Sequence, residues 1–348
     1  MITRNRGFKL GTETVCIGSK PVVIAEIGIN HGGCIEEAKK LIISAKKAGA
    51  KVVKFQSHIA SAEMSLAAKQ VIPVHTQDSI YQIIEDCSLS VEEERIVKDF
   101  AEEMGLFFLS SPFSREAADN LNELGVEAFK IGSGEFNNLP LIDHICDFGK
   151  PLILSTGMNK MSQIKTTVEL LESRDIPYAL MHTTNLYPTP NSLVRLGAIR
   201  ELQREFVDIP IGLSDHTCSN TASLGAVALG ACLIERHYTD TMKRVGPDIV
   251  CSMDEQTCRD LLSEIDVLHV QLGGGVEPPA EEKKTAEFAF HTVVTTSAIE
   301  AGETLSPANI WVKRPGCGDF QAADYKSLLG KKVKLDLPEG HHLKKEDV

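Results

Sequence analysis

IPIGLSDH (Ile209–His216) and ACLIERH (Ala231–His237) are the two stretches on which the fold turns. Each is a short apolar run that becomes polar at its end and closes on a histidine, the form of a buried parallel strand that delivers side chains to a site. Between them, TASLGAVALG (Thr221–Gly230) is small and apolar and predicts a helix packed close on a sheet. A strand–helix–strand unit points both strand ends the same way, so His216 and His237 can face each other. Two imidazoles on neighbouring strands are half of a metal site, with positions left open for water or a substrate oxygen.

Toward the N-terminus the same rhythm repeats. PVVIAEIGINH (Pro21–His31) and KVVKFQSH (Lys51–His58) read as strands, separated by a helix over Ile35–Ala48 that Gly49 stops. A long segment, Ile59–Ser90, precedes a helix at Val91–Met104, and a loop of that length inside a compact domain predicts a functional wall or lid. Strands follow at LFFLSS (Leu106–Ser111), AFKI (Ala128–Ile131), PLILST (Pro151–Thr156) and YALMHT (Tyr178–Thr183). The helices after them span Arg115–Leu124, Leu139–Phe148, Ser162–Leu171 and Leu193–Phe206, and a last helix covers Asp254–Leu272. Eight strand–helix units over roughly 250 residues predict a (β/α)8 TIM barrel. An open doubly wound sheet is the competitor, but no glycine-rich dinucleotide turn supports it.

Ahead of the barrel, FKLGTETVCIG (Phe8–Gly18) alternates around a Gly-Thr turn and predicts a β-hairpin. Residues 1–272 thus form a hairpin plus barrel, GGGVEPPAEEKK (273–284) a linker, and residues 285–348 a separate small, mostly β domain. That domain carries an internal echo. From Ile299 and from Leu337 the chain follows one frame, apolar-x-x-Gly-x-x-Leu-x-x-x-x-apolar, which predicts two copies of one unit with pseudo-symmetry.

Of the 348 residues, 43% are hydrophobic and 24% charged, an ordinary globular balance. A net charge of −12 argues against nucleic acid or an anionic membrane as partner. The nine cysteines are scattered with no C-x-x-C pair, and no signal peptide or spanning segment is evident, which predicts a reduced cytoplasmic protein. Barrel enzymes work at the C-terminal strand ends. Those ends hold Glu26, Asn30 and His31; Lys54, Gln56 and His58; Ser110 and Ser111; Lys130, Ser133 and Glu135; and Ser155. The last strands add Thr184, Asn185 and Tyr187; Ser214, Asp215 and His216; and Glu235 and His237. Lysines with serines and an asparagine suit phosphate and carboxylate, and Glu26 suits general acid/base work. His31 and His58 are expected to pack behind the site, and Asp215 to orient His216 or cap a helix. The lysines leave two mechanisms open. One is a Schiff-base aldolase through Lys54 or Lys130; the other is a metal-assisted condensation with both as charged clamps, which the histidine pair favours. A non-catalytic glycan-binding protein is the third reading, and the polar ring at the barrel mouth argues against it.

EIGINHGG, VVKFQSHI, SPFSREAA, FKIGSGEFNNLPLI, LSTGMN, HTTNLYPTP, IGLSDHT, GAVALGA, ERHYTD and GPDIVCSM closely resemble the N-acetylneuraminate (sialic acid) synthase family, in its bacterial branch. IWVKRPGCGDF and the terminal repeat resemble that family's antifreeze-like (SAF) domain. The resemblance implies condensation of phosphoenolpyruvate with open-chain N-acetylmannosamine, or with a 2,4-diacetamido-trideoxyhexose, aided by a divalent metal such as Mn2+, Mg2+ or Co2+. It implies metal ligation by His216 and His237. Lys54, Ser111, Lys130, Ser133, Ser155, Asn185 and Ser214 would hold phosphoenolpyruvate. Glu26, Gln56, Glu135, Tyr187 and Asp248 would face the sugar, and Arg314 would reach it from the second chain of a domain-swapped homodimer. Glu235 is expected near metal-bound water. Phe136 stands where many bacterial members have cysteine, which suggests a bearing on the choice of sugar.

Overall fold

The computed structural model describes residues 7–72, 78–246 and 248–348. They divide into two compact units, residues up to Gly273 and Gly274–Val348.

The first unit opens with β1 (Phe8–Leu10) and β2 (Glu13–Val15), the expected antiparallel hairpin. Then come β3 (Val22–Gly28), α1 (Ile35–Ala48), β4 (Val52–Ser57), α2 (Ala60–Glu63), α3 (Ile80–Cys87) and α4 (Val91–Glu103). Next are β5 (Phe107–Pro112), α5 (Arg115–Glu123), β6 (Phe129–Ile131), α6 (Leu139–Cys146), β7 (Leu152–Ser155) and α7 (Met161–Ser173). The unit ends with β8 (Tyr178–Thr183), α8 (Gly197–Glu205), β9 (Ile211–Asp215), α9 (Thr221–Ala228), β10 (Leu233–His237) and α10 (Glu255–Gln271). The eight strands β3 to β10 close into one parallel barrel in chain order, β10 pairing with β3. The predicted TIM barrel is therefore present. The sequence punctuates its helices well: Glu36 and Glu37 open α1, Lys46 and Lys47 close it, and Gly49 caps it at φ 99°. Ser90 and Glu93 form a capping box on α4.

Side chains alternate across each strand, and this pleat builds the site. Val23, Ala25 and Ile27 of β3 face outward into the main core beneath the helices. Val22 and Ile24 face inward, in a second cluster with Val52, Leu109, Ile153, Met181 and Leu233 of other strands. The hairpin supplies Phe8, Leu10 and Val15 to that inner cluster, so it packs against the strand beginnings and fills that end of the barrel. One step further along each strand, the inward positions switch to polar residues.

The long Ile59–Ser90 segment is not irregular: α2, a 3-10 turn at Leu66–Gln70 and α3 are built into it, with Ala60, Tyr81 and Ile84 as a small core. Residues 73–77 of it lie outside the described residues. Among the described residues no helix is long and apolar enough to cross a membrane.

The second unit contains α11 (Lys283–Ala289), β11 (Thr292–Thr295), β12 (Ile310–Lys313) and α12 (Tyr325–Leu328). A 3-10 turn at Ala280–Glu282 and α11 order the end of the predicted linker. The internal echo is structural. Ile299 and Leu337 exchange backbone hydrogen bonds of 2.9 and 2.8 Å. The bond from Gly302 N–H to Val333 O has its counterpart from Gly340 N–H to Thr295 O, and Leu305 to Lys331 is matched by Leu343 to Val293. Ile299, Leu305, Leu337 and Leu343 are buried in one core.

Candidate active site

A cavity of about 340 Å³ opens at the C-terminal end of the barrel, and its wall contains Glu26, Lys54, Gln56, Ser111, Lys130, Ser133, Glu135, Ser155, Asn185, Tyr187, Ser214, His216, Glu235 and His237. The pleat explains the set: these strand residues continue the inward series of the inner core. Ser110 and Asp215 fall on the other face of their strands. Ser110 donates to Phe55 O, while Asp215 accepts from Thr217 N–H and from Ser223 Oγ of α9 and lies beside Arg236. Asn30 holds the chain beyond β10, donating to Tyr238 O and Ser252 Oγ. His31 packs near Phe55 with Nδ1 accepting from Gly33 N–H, the supporting role expected for it.

Four buried charges form the floor. Lys54 Nζ is 2.8 Å from Glu26 Oε1 and 3.8 Å from Glu235 Oε1, and Lys130 Nζ is also 3.8 Å from Glu235 Oε1. Lys54 donates to Ser111 Oγ at 3.3 Å, Lys130 to Ser155 Oγ at 2.6 Å, and Ser214 to Glu235 Oε1 at 3.1 Å. Glu26, Glu235 and both lysines are at most 5% exposed, so the charge on each depends on its neighbours rather than on water. Burial pushes the Glu26 carboxyl up to about 7 in spite of Lys54. Burial opposes the Glu235 charge too, yet Lys130 and Lys54 outweigh it and hold that carboxyl low. Burial lowers the Lys130 ammonium to about 8 against the pull of Glu235, with Lys54 adding to the fall. Burial likewise opposes the Lys54 charge, but Glu235 and Glu26 keep its pKa above the usual lysine value. Glu135 is raised to about 7 by burial and by the charge of Glu63. Glu235 thus acts first as counter-ion to two lysines.

The imidazoles of His216 and His237 lie 5.4 Å apart, centroid to centroid, with Tyr187 stacked on His216 at 4.2 Å. Burial lowers them to about 4 and about 3, so both are neutral at pH 7, the ligating form. His216 Nδ1–H donates to Thr184 O at 3.0 Å, which leaves Nε2 as the acceptor nitrogen. Nδ1 of His237 is buried without a partner, 3.7 Å from Asp248 Oδ2. Among the described residues no set of three or more His, Cys, Asp or Glu could hold a metal. With Nε2 of His216 turned away from Thr184 and both rings neutral, the pair could offer a cation two protein ligands and leave its other positions to water or substrate.

Asp248 sits beside His237 and not in the described cavity wall. Arg314 is exposed in the second unit, just after β12. Phe136 is fully buried in the main core and absent from the wall, so its expected bearing on the sugar has no contact behind it. Phe113, Met158 and Thr183 line the cavity unforeseen. Gly157 matters too: a Cβ there would lie 2.1 Å from Asn185 Oδ1 and 2.7 Å from Ser133 Oγ.

A closed (β/α)8 barrel that gathers paired lysines, paired carboxylates and two neutral imidazoles at the C-terminal strand ends has the architecture of an enzyme. Residues 41–277 match the NeuB family, and residues 292–348 match the SAF domain. The N,N'-diacetyllegionaminic acid synthase of Campylobacter jejuni is 36% identical over 320 residues, covering 90% of this chain and 95% of that protein. The N-acetylneuraminate-9-phosphate synthase of Mus musculus is 30% identical over 334 residues, covering 94% and 92%. The crystal structure of the N-acetylneuraminic acid (sialic acid) synthetase of Leptospira borgpetersenii superimposes with a TM-score of 0.74 at 29% identity, over 81% of this chain and 95% of that one. The chain belongs to the NeuB family, and it is an enzyme of the nonulosonic acid synthase class.

Proposed function

We propose that the chain condenses phosphoenolpyruvate with open-chain N-acetylmannosamine and water, giving N-acetylneuraminate and phosphate, for sialic acid or surface-glycan synthesis. The observation that carries this reading is the buried double pair of Lys54 and Lys130 with Glu26 and Glu235, ringed by hydroxyl donors. A phosphate–carboxylate dianion can take over the lysines and draw hydrogen bonds from Ser111, Ser133, Ser155, Ser214 and the Asn185 amide. Glu26, relieved of Lys54, is then free to take up a proton, which its raised pKa favours. C3 of the enol attacks the aldehyde carbon, and Glu26 gives its proton to the aldehyde oxygen. Water adds at C2 and returns a proton to Glu26, and the new hydroxyl collapses to the ketone, its proton passing to the phosphate that leaves with cleavage of the C2–O bond. His216 and His237 would hold the divalent metal, most simply Mn2+; bound there, it supplies Lewis acidity toward an aldehyde oxygen. Gln56, Glu135, Tyr187 and Asp248 would face the sugar, with Arg314 arriving from a second copy in a domain-swapped homodimer.

A second acceptor has a specific observation in its favour. The Campylobacter relative is named for N,N'-diacetyllegionaminic acid, which points to a 2,4-diacetamido-2,4,6-trideoxyhexose. A panel assay of both acceptor types with phosphoenolpyruvate and Mn2+, read by product mass, tests the reading and chooses between them. Failure of every N-acetylated amino sugar would overturn it, and borohydride trapping of a pyruvate adduct on Lys54 or Lys130 would replace it with the aldolase mechanism.

A further inference from the structure

Behind the cavity wall runs a line of hydrogen bonds that the condensation chemistry leaves unexplained. Gln56 donates from Nε2 to Glu26 Oε1 over 2.9 Å. Its carbonyl oxygen turns the other way and meets Nε2 of His58 at 3.0 Å. Nδ1 of His58 faces Glu63, 2.9 Å from Oε2 and 3.1 Å from Oε1. The His58 and Glu63 side chains are only 4% and 8% exposed. The imidazole also stacks on Phe113 at 4.2 Å, and Phe113 belongs to the cavity wall. Glu63 ends α2, whose Ala60 packs against Tyr81 and Ile84 of α3.

A side-chain amide can present either end to a neighbour, and only its surroundings decide which. The Glu26 carboxylate accepts, so it demands the amide N–H. Nothing on Gln56 itself keeps the carbonyl from rotating in and setting oxygen against oxygen. His58 does so as an imidazolium ion-paired with the buried Glu63 carboxylate: both ring nitrogens then donate, Nε2–H to the Gln56 carbonyl and Nδ1–H to Glu63, which holds the ring in place. The consequence reaches the substrate. Oε1 of Glu26 is occupied by Lys54 and Gln56, while Oε2 is buried with no partner.

We propose that His58 and Glu63 are positioning residues that lock the Gln56 amide with its N–H toward Glu26, and so reserve Oε2 of Glu26 for the acceptor sugar. The proposal rests on the sugar-condensing reading above. It makes the β4–α2 junction a determinant of acceptor binding, although neither residue lines the cavity.

The test is a mutant cycle on the full-length enzyme, with kcat and KM measured separately for each substrate. His58→Phe keeps a ring against Phe113 and removes both N–H donors; Gln56→Leu removes the amide they orient. For His58→Phe, kcat/KM for the acceptor should fall by about 10-fold or more while KM for phosphoenolpyruvate stays within about 2-fold. In the Gln56→Leu background the same change should add almost nothing, because one chain of contacts is already broken. His58→Gln, which restores a donor near the Nε2 position, should recover part of the loss. Additive effects, equal losses for both substrates, or wild-type kinetics in His58→Phe would overturn the positioning role. Should His58→Phe not fold, Glu63→Gln takes its place in the cycle with the same expected pattern. A wild-type enzyme that condenses no amino sugar would sink the functional reading and this proposal with it; an active wild type with an additive cycle sinks the proposal alone.

Discussion

Replacing Gly157 by alanine perturbs the proposed anion site through a single methyl group. Gly157 is not among the residues with positive φ, so its backbone accepts an alanine. The obstacle is lateral. The new Cβ would stand 2.1 Å from Asn185 Oδ1 and 2.7 Å from Ser133 Oγ, so both side chains must retreat, the amide oxygen by about 1.3 Å or more to regain ordinary contact. Asn185 Oδ1 is buried without a partner, so the amide has no alternative bond to soften its displacement. Hydrogen bonds to a charged ligand are worth about 1.5–3 kcal/mol each, so losing two removes roughly 3–6 kcal/mol, or about 10²- to 10⁴-fold in kcat/KM for phosphoenolpyruvate. The assay is steady-state kinetics with calorimetric titration of phosphoenolpyruvate, and thermal unfolding as control. Gly157→Ala should keep a melting temperature near wild type. A KM for phosphoenolpyruvate within about 2-fold of wild type would refute the assignment of Ser133 and Asn185 as anion ligands.

Three further outcomes are expected. Glu94 is buried, and burial raises its carboxyl to about 7 against the hydrogen bond from Ser57, whereas an unfolded glutamate titrates near 4.3. The unfolded chain therefore loses its proton first as pH rises, and stability falls between those two values. Glu94→Gln should stabilise the protein by up to roughly 3 kcal/mol at pH 8 and much less at pH 5, and equal effects in urea unfolding at both pH values would contradict this. Removing divalent ions should abolish condensation, and Mn2+ should restore it and raise the melting temperature of wild type but not of His216→Ala; full activity of a verified metal-free enzyme would rule out the two-imidazole site. Mixing Glu26→Ala with Arg314→Ala under subunit exchange should recover about a quarter of wild-type activity if Arg314 serves the neighbouring chain, and none if it serves its own.

The strand ends were legible because the pleat is a rule of period two. Once Val22 and Ile24 are inward, Glu26 is inward as well, and the same count places Lys54, Lys130, Ser214 and Glu235. Helix ends were legible where capping chemistry is local, as at Gly49 and Ser90. Contacts between segments distant in sequence were not. Gly157 owes its role to Asn185 and Ser133 on neighbouring strand ends, and nothing in LSTGMN announces that approach. Phe136 follows a cavity glutamate in sequence yet turns into the core, since adjacent residues leave the chain in different directions. The Ile59–Ser90 segment read as one long loop because its helices are short and its core is only a few residues.

The central claim is that C3 of phosphoenolpyruvate is joined to the aldehyde carbon of an amino sugar in this barrel, and that attack of water at C2 then releases phosphate. The most direct measurement uses phosphoenolpyruvate labelled with 18O at the bridging oxygen, incubated with the preferred acceptor and Mn2+, with both products weighed by mass spectrometry. The predicted result is a nine-carbon 2-keto acid of the condensed mass together with phosphate that carries the label. Unlabelled phosphate, with the 18O left on the carbon product, would contradict the account.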